Sequence, residues 1–179
     1  MSSFEGVEET QEDERSVDID LIWLVSQATA ILRQIMQQEL KDSPVSVDGL
    51  WFLAIIMMLG DSATPSQLAQ WMVRKPNTIS AMTTRLEEKG YVEKQRTTGT
   101  NNRVRLRIVL TEKGKQVLRA IMGTTLTPAA LSGFTLEEKQ QLRSLLFKAR
   151  GAAALRVKDY EEPPFPSAGT PSLYWERLT

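Results

Sequence analysis

The pattern of apolar and polar positions between residues 64 and 110 changes from a helical period to a strand period. Apolar residues recur at helical spacing from about 76 to 89, which predicts an amphipathic helix ended by Gly90. The positions expected to be buried are Ile79, Met82, Thr83 and Leu86. At about 100° per residue, the opposite face is short and polar, so it can approach base edges in a DNA major groove. That face carries Asn77, Ser80, Ala81, Thr84 and Arg85.

Residues 91–110 predict two strands joined by a polar turn at 97–102. The returning strand alternates apolar residues with arginines, and a period of two places the two sets on opposite faces. The apolar positions expected to face the core are Val104, Leu106, Ile108 and Leu110, and the arginines are Arg103, Arg105 and Arg107. A helix-turn-helix followed by such a hairpin is a winged helix-turn-helix, which is a nucleic-acid-binding arrangement.

A long helix is predicted before this unit, starting at Asp18 or Asp20 and running to about Leu40. Its apolar stripe between residues 21 and 36 is wider than one packed face usually needs. The surplus predicts a second burial partner for this helix. The alternative is a helix that is buried within a monomer.

Capping signals mark four more helix starts, two of them with a glutamine or glutamate placed to complete a capping box. The predicted N-caps are Ser46, Thr64, Thr111 and Thr135. The helix after Ser46 is apolar nearly all round, which is typical of a core helix. The helix after Thr64 is the first of the helix-turn-helix, and a break is expected near residues 124–128.

Composition excludes several kinds of chemistry. The chain of 179 residues has no cysteine and no histidine, which excludes disulfides, thiolate sites, imidazole bases and nearly all zinc sites. Because it also lacks a phosphate-binding loop and a recognisable carboxylate pair, we expect no enzyme and no cofactor. The longest apolar run is about half of what spans a bilayer and the N-terminus is acidic, so a cytoplasmic protein without membrane contact is expected.

The net charge is zero but unevenly distributed. Residues 1–20 hold eight acidic residues and one basic residue, whereas residues 74–115 hold eleven basic and four acidic residues. The positive charge therefore coincides with the proposed DNA-binding unit, as attraction to phosphate requires. A charge run alone usually marks a solvated face, so the argument depends on charge and motif together.

Three sequence blocks resemble the MarR family of transcriptional regulators, both in residues and in spacing. The blocks are Leu86-Glu87-Glu88-Lys89-Gly90-Tyr91-Val92-Glu93-Lys94, Asn102-Arg103 and Leu110-Thr111-Glu112-Lys113-Gly114. The resemblance covers roughly residues 18–148 and implies a dimer formed by the first and last helices. It also implies binding of small aromatic or phenolic effectors, while the composition discards sensing by cysteine oxidation or zinc.

The chain departs from the family pattern at three positions. Val73 and Lys75 stand where the family usually has a glycine and a serine, and neither replaces the left-handed turn or the cap well. A longer or differently shaped turn is therefore expected, with Pro76 compensating in part. Asn102 replaces an aspartate beside Arg103 at the wing tip, which predicts retained function with weaker orientation of the arginine.

The resulting expectation is a mainly α (α+β) fold, with a winged helix-turn-helix lobe and an α-helical dimerisation lobe. The predicted divisions are an acidic disordered tail (1–16), an N-terminal dimerisation helix (17–45), the DNA-binding lobe (46–110), C-terminal dimerisation helices (111–155) and a proline-rich tail (156–179). The acidic tail is interpreted as solubilising, with competition for the basic surface as the alternative. The proline-rich tail is either flexible or an arm that docks on a partner subunit.

We expect a homodimer to place two recognition helices in successive major grooves of double-stranded DNA, on a pseudopalindrome. The side chains expected to meet bases and nearby phosphates are Asn77, Thr78, Ser80, Thr84 and Arg85. Those expected on phosphate are Arg74, Lys75, Lys94 and Arg96, and those expected to serve the wing are Asn102, Arg103 and Arg105. An internal salt bridge to Glu87 or Glu88 is the alternative role for Arg85.

A crevice for a small aromatic effector is a further expectation from the resemblance. The candidate lining residues are Trp23, Gln27, Trp51, Met58, Trp71 and Met72. Methionine and aromatic stripes are more often plain core, and that alternative stays open. A winged-helix protein-interaction module without DNA binding is the alternative function, although such modules tend to lack a basic wing.

Overall fold

The computed structural model describes residues 5–60, 62–98, 104–124 and 131–157. Its helices are α1 (Glu5–Glu39), α2 (Val47–Met58), α3 (Pro65–Met72), α4 (Pro76–Glu88), α5 (Glu112–Thr124) and α6 (Leu136–Ala154). Its strands are β1 (Ser62–Ala63), β2 (Val92–Thr98) and β3 (Val104–Leu110). The predicted mainly helical α+β fold with a winged helix-turn-helix is confirmed. The expected break near 124–128 and the tail beyond 157 lie almost wholly outside the described residues.

The chain divides into two compact units, Met1–Asp42 and Ser43–Thr179, and the first contains α1. This helix begins at Glu5 rather than at Asp18 or Asp20, so the predicted disordered segment is helical from residue 5 onward. Glutamates are good helix formers, and negative charge near a helix N-terminus interacts favourably with the helix dipole. The acidic composition is therefore compatible with a helix here.

Most of the apolar side chains described in α1 are exposed on the single chain, with Ile22 and Trp23 at 68% and 63% exposure. Among the described helices, Arg15–Glu39 is also the one that is long and apolar enough to cross a membrane by length and composition. Helices that are buried in the cores of soluble proteins satisfy the same criterion. The exposed stripe matches the surplus of apolar area that the sequence predicted.

The core of the second unit is built around α2. Phe52, Leu53 and Ile56 have no exposed surface, and Leu68, Ile79 and Leu118 on other helices have none exposed either. The prediction of a core helix is confirmed, although Trp51 keeps 40% of its surface exposed. This core holds α3 and α4 against the sheet, which gives the helix-turn-helix a fixed base.

The predicted caps are present at all four helix starts. The Ser46 hydroxyl accepts from the Gly49 N–H at 3.3 Å, and the Thr111 hydroxyl accepts from the Gly114 N–H at 3.0 Å. Thr64 and Thr135 each form a complete capping box with the side chain three residues later. These contacts are local in sequence, which is why the residue pattern predicted them correctly.

The turn between α3 and α4 is tight, and Val73 itself takes the left-handed conformation at φ 51° and ψ 51°. Among the residues that the structure describes, Val73 is the one non-glycine residue with a positive φ. Its side chain is 63% exposed. The Arg74 N–H donates to the Ala69 carbonyl at 2.9 Å, which closes the helix end. Val73 thus adopts a backbone conformation that costs a β-branched residue energy, and the expectation of a longer or differently shaped turn stays a prediction.

The sheet has the order β1-β3-β2 and all its pairs are antiparallel. The sequence predicted the ribbon of β2 and β3 but not β1, a two-residue strand that pairs Ser62 with Val109 and Ala63 with Ile108. β2 is exposed at every residue after Val92. The ribbon therefore extends from the core into solvent, as a wing requires.

Candidate nucleic-acid interface

The outer face of α4 is polar and exposed. The four predicted stripe residues Ile79, Met82, Thr83 and Leu86 are all buried, and the Thr83 hydroxyl is satisfied by donating to the Ile79 carbonyl at 2.8 Å. The predicted contact residues are all exposed on this helix: Asn77, Thr78, Ser80, Thr84 and Arg85. These side chains are short or hydrogen-bonding, a combination that can meet base edges in a major groove.

The start of α4 is basic. Lys75 occupies the N-cap position and forms no side-chain cap, as expected for lysine, and Pro76 follows in the first turn. Lys75 is exposed. Arg74 lies 3.8 Å from an Asp48 carboxylate oxygen, with 46% of its side chain exposed. The helix start without a side-chain cap and two cations thus occupy the same end of the helix, where the helix dipole favours anions.

The wing carries basic side chains on both of its faces. Direct partners in an antiparallel pair share a face, so Arg96 lies on the face of Leu106, and Arg105 lies on the opposite face with Thr97. Lys94 shares the face of Arg96, because its partner is Ile108. Arg105 and Arg107 are exposed, and Arg107 Nη1 donates to the Ser62 hydroxyl at 2.8 Å.

The predicted apolar face of β3 is confirmed only near the base of the wing. Ile108 and Leu110 are 1% and 4% exposed, but Leu106 is 37% exposed. The prediction for Leu106 is wrong because the ribbon extends past the helices that would cover it. The side chain of Val104, and Asn102 and Arg103 at the tip, lie outside the described part of the chain, so their predicted roles stay predictions.

Lys94 is bound to α4. Its Nζ donates to Glu87 Oε2 at 2.6 Å, and its backbone N–H donates to Glu87 Oε1 at 3.1 Å. The hydrogen bond from the Lys94 side chain is the main reason why the pKa of Glu87 lies below its ordinary value. This contact was not predicted from the sequence, and it weakens the expectation that Lys94 binds DNA phosphate. It also means that the Glu87 carboxylate is bound by Lys94 rather than by Arg85.

The predicted effector residues fall in different places. Trp51, Met58, Trp71 and Met72 lie in the second unit, where Trp51 is exposed and the other three are half-buried. Trp23 and Gln27 are exposed on α1, in the first unit. The prediction of an effector site stays a prediction.

A cavity of about 310 Å³ lies on α6 and contains none of the predicted effector residues. Its lining is Leu131, Lys139, Leu142, Arg143, Leu146, Phe147 and Arg150. In the described ranges, no group of three or more potential metal-ligating side chains could hold an ion. The candidate interface is instead the exposed surface of α4 and the wing, which carries hydrogen-bonding and basic groups.

Comparison with known proteins places this geometry in a class. The MarR family model matches residues 53–103, which include α3, α4 and β2. No curated protein is similar to the chain. The solved structure of the organohalide-sensing transcriptional regulator RdhR-CbdbA1625 in its ligand-free form is 26% identical, with a TM-score of 0.68 over 82% of this chain and 88% of that chain.

Two other structures give the same result. The 2,4-dichlorophenol-bound form of the RdhR-CbdbA1625 regulator is 27% identical with a TM-score of 0.57, again over 82% of this chain and 88% of that chain. The MarR-family regulator Sco5413 of Streptomyces coelicolor is 19% identical with a TM-score of 0.63, over 81% of this chain and 98% of that chain.

The fold and its exposed surface thus define a winged helix-turn-helix protein. The resemblance to MarR-family transcriptional regulators that the sequence predicted is confirmed, and these matches indicate a DNA-binding regulator of transcription.

Proposed function

We propose that this protein is a cytoplasmic, sequence-specific repressor that binds double-stranded DNA as a homodimer on a pseudopalindromic operator. The observation that carries the proposal is the pairing of an exposed polar face on α4 with a wing whose basic residues project beyond the core. A protein of this kind represses most simply by occupying a promoter. No step of this function requires a cofactor or catalysis.

The residues divide by the part of DNA that each can recognise. Asn77 has the donor and acceptor geometry for adenine, and Arg85 has that for guanine. Thr78, Ser80 and Thr84 complete the face that meets bases and nearby phosphates, while Arg74, Lys75 and Arg96 serve phosphate. Arg103 and Arg105 are the proposed wing contact, to which an A·T-rich minor groove is suited through its negative potential, and Asn102 is the proposed neighbour in that contact.

The dimer is supported by the exposed apolar surface of α1. Leu21, Ile22, Trp23, Leu24 and Val25 are each at least 49% exposed on the single chain. Contiguous apolar surface of this kind usually marks an interface. A twofold dimer spaces its recognition helices about 34 Å apart, one turn of DNA. A monomeric mass in light scattering at micromolar concentration would contradict this part of the proposal.

A small aromatic effector is the proposed release signal. The support is the 2,4-dichlorophenol bound by one structural neighbour, together with Trp23, Gln27, Trp51, Met58, Trp71 and Met72 on this chain. A ligand can act only through different affinities for the DNA-competent and the incompetent dimer. Titration of the DNA complex with chlorophenols, followed by fluorescence anisotropy, tests this step.

The deciding experiment is binding-site selection on genomic DNA, repeated with Asn77→Ala and Arg103→Ala. Loss of the Asn77 amide should relax the selected sequence at one position, because bidentate contacts discriminate between bases by about 1–3 kcal/mol. Loss of Arg103 should weaken binding to all duplexes. Absence of any salt-dependent DNA binding by the unmodified protein would favour a protein-interaction module instead.

A further inference from the structure

The position of Glu87 is unfavourable on two electrostatic grounds. It lies in the last turn of α4, where the helix dipole presents partial negative charge and disfavours a carboxylate. It also lies on the helix that the proposed function brings to DNA, where phosphates repel a negative charge. A carboxylate at this position weakens both the helix and DNA binding unless another group neutralises it.

Lys94 supplies that neutralisation with two groups from one residue. The ammonium and the backbone N–H of Lys94 each donate to a different oxygen of the Glu87 carboxylate, at 2.6 and 3.1 Å. The same ammonium lies 3.5 Å from the hydroxyl of Thr84, one of the expected base contacts. The start of β2 is thereby attached to the outer face of α4.

This attachment has a consequence for the charge that DNA meets. Lys94 is about one-third exposed as a side chain, at 34%, so its ammonium is close to the surface and yet bound by an acid. A glutamate is ionised at neutral pH, and the hydrogen bond from Lys94 lowers the pKa of Glu87 further, so both members of the pair are charged there. The Lys94 ammonium beside the recognition helix is therefore bound to Glu87 and is not available to a DNA phosphate.

We propose that Glu87 is a positioning residue that holds the base of the wing against α4 and withholds the Lys94 ammonium from DNA phosphate. This inference rests on the proposed DNA-binding function. Its effect is to lower affinity for duplexes in general while fixing the angle between helix and wing, so that a matching groove is favoured over a mismatched one. It replaces the expectation that Lys94 contacts phosphate in the unmodified protein.

The test is the salt dependence of binding to a random-sequence duplex and to a duplex selected by the unmodified protein. Glu87→Gln keeps an oxygen that can accept the Lys94 N–H but removes the charge that holds the ammonium. Each phosphate neutralised adds about 0.9 to the slope of log affinity against log salt, so one freed lysine predicts about 3.5-fold more loss of affinity between about 50 and 200 mM salt. The preference for the selected duplex should fall at the same time.

Two controls separate this role from a general charge effect. Glu88→Gln removes an exposed carboxylate from the neighbouring position of the same helix, and it should leave the slope within error of the unmodified protein. Lys94→Gln should also leave the slope unchanged, and the double variant with Glu87→Gln should have the unmodified slope again. This cycle isolates the pair because each member is removed alone and together.

A salt slope for Glu87→Gln equal to that of the unmodified protein would overturn the inference. A salt slope that increases as much in Glu88→Gln as in Glu87→Gln would overturn it too. A shallower slope for Lys94→Gln would also overturn it, because Lys94 would then already serve a phosphate. Failure of the unmodified protein to bind either duplex is seen before any variant is compared, and it would refute the proposed function itself.

Discussion

Gly114 occupies a position where any side chain meets the backbone of the wing. A Cβ atom built on Gly114 would lie 2.2 Å from the carbonyl oxygen of Tyr91, far inside van der Waals contact. That oxygen accepts a hydrogen bond from the Thr111 N–H at 3.0 Å, and the Thr111 hydroxyl, which lies 3.0 Å from it, donates at 2.7 Å to the Gly90 carbonyl. The start of α5 is thus attached to the start of β2 through a contact that leaves no room for a methyl group.

Gly114→Ala should therefore destabilise the protein strongly. The backbone must move by about 1 Å to restore contact distance, which breaks the Thr111 N–H to Tyr91 carbonyl hydrogen bond, worth about 1 kcal/mol. Overpacking adds about 1–3 kcal/mol of strain. The total is about 2–4 kcal/mol, a large part of the roughly 5–15 kcal/mol by which domains are usually stable.

Helix propensity alone predicts the opposite sign, because alanine is favoured over glycine within a helix by about 1 kcal/mol. Urea unfolding followed by circular dichroism measures the difference through the midpoint. Gly133→Ala is the matched control, since no atom lies within 4 Å of the Cβ position there, and it should stay within about 0.5 kcal/mol of the unmodified protein. A Gly114→Ala variant as stable as this control would refute the steric argument.

Two further predictions concern the turn and a cap. Val73→Asn should stabilise the protein by about 1 kcal/mol in thermal unfolding, because the left-handed conformation costs asparagine less than it costs a β-branched residue. Val73→Ile should show no such gain. Equal stability of the two variants would contradict the strain at this turn. The Glu138 carboxylate accepts from the backbone N–H of Thr135 at 2.7 Å, which lowers its pKa in the folded state. Its contribution is therefore fully present above the unfolded-state pKa and is lost as the pH falls through the lower folded-state pKa. The stability difference between Glu138→Ala and the unmodified protein should narrow in acid, as urea unfolding at a series of pH values can measure; a difference that widens in acid would contradict the pKa direction.

Much of the fold and of the site could be predicted from the sequence because the signals were local. The stripe of α4, the capping boxes at Thr64 and Thr135, and the alternation at the base of β3 all involve residues within a few positions of each other. Helical period, strand period and capping chemistry are properties of short segments. The exposed polar face of α4 follows from the same period, since the stripe determines which residues point outward.

The remaining features depend on contacts between residues that are distant in sequence. The two-residue strand β1 exists because it pairs with β3, and Leu106 is exposed because none of the described helices of the second unit covers that part of the wing. The need for glycine at position 114 arises from the Tyr91 carbonyl, 23 positions earlier. Sequence period carries no information about which distant backbone approaches a given position.

The charge arrangement of the site shows the same division. The excess of basic residues between 74 and 115 is visible in the sequence and indicates a surface suited to phosphate. Only the tertiary structure shows that Glu87 binds Lys94, because this pairing needs the chain to reverse direction through the turn at Gly90. Local sequence therefore determined which charges are present, and packing of the wing against α4 decided which of those charges are already paired.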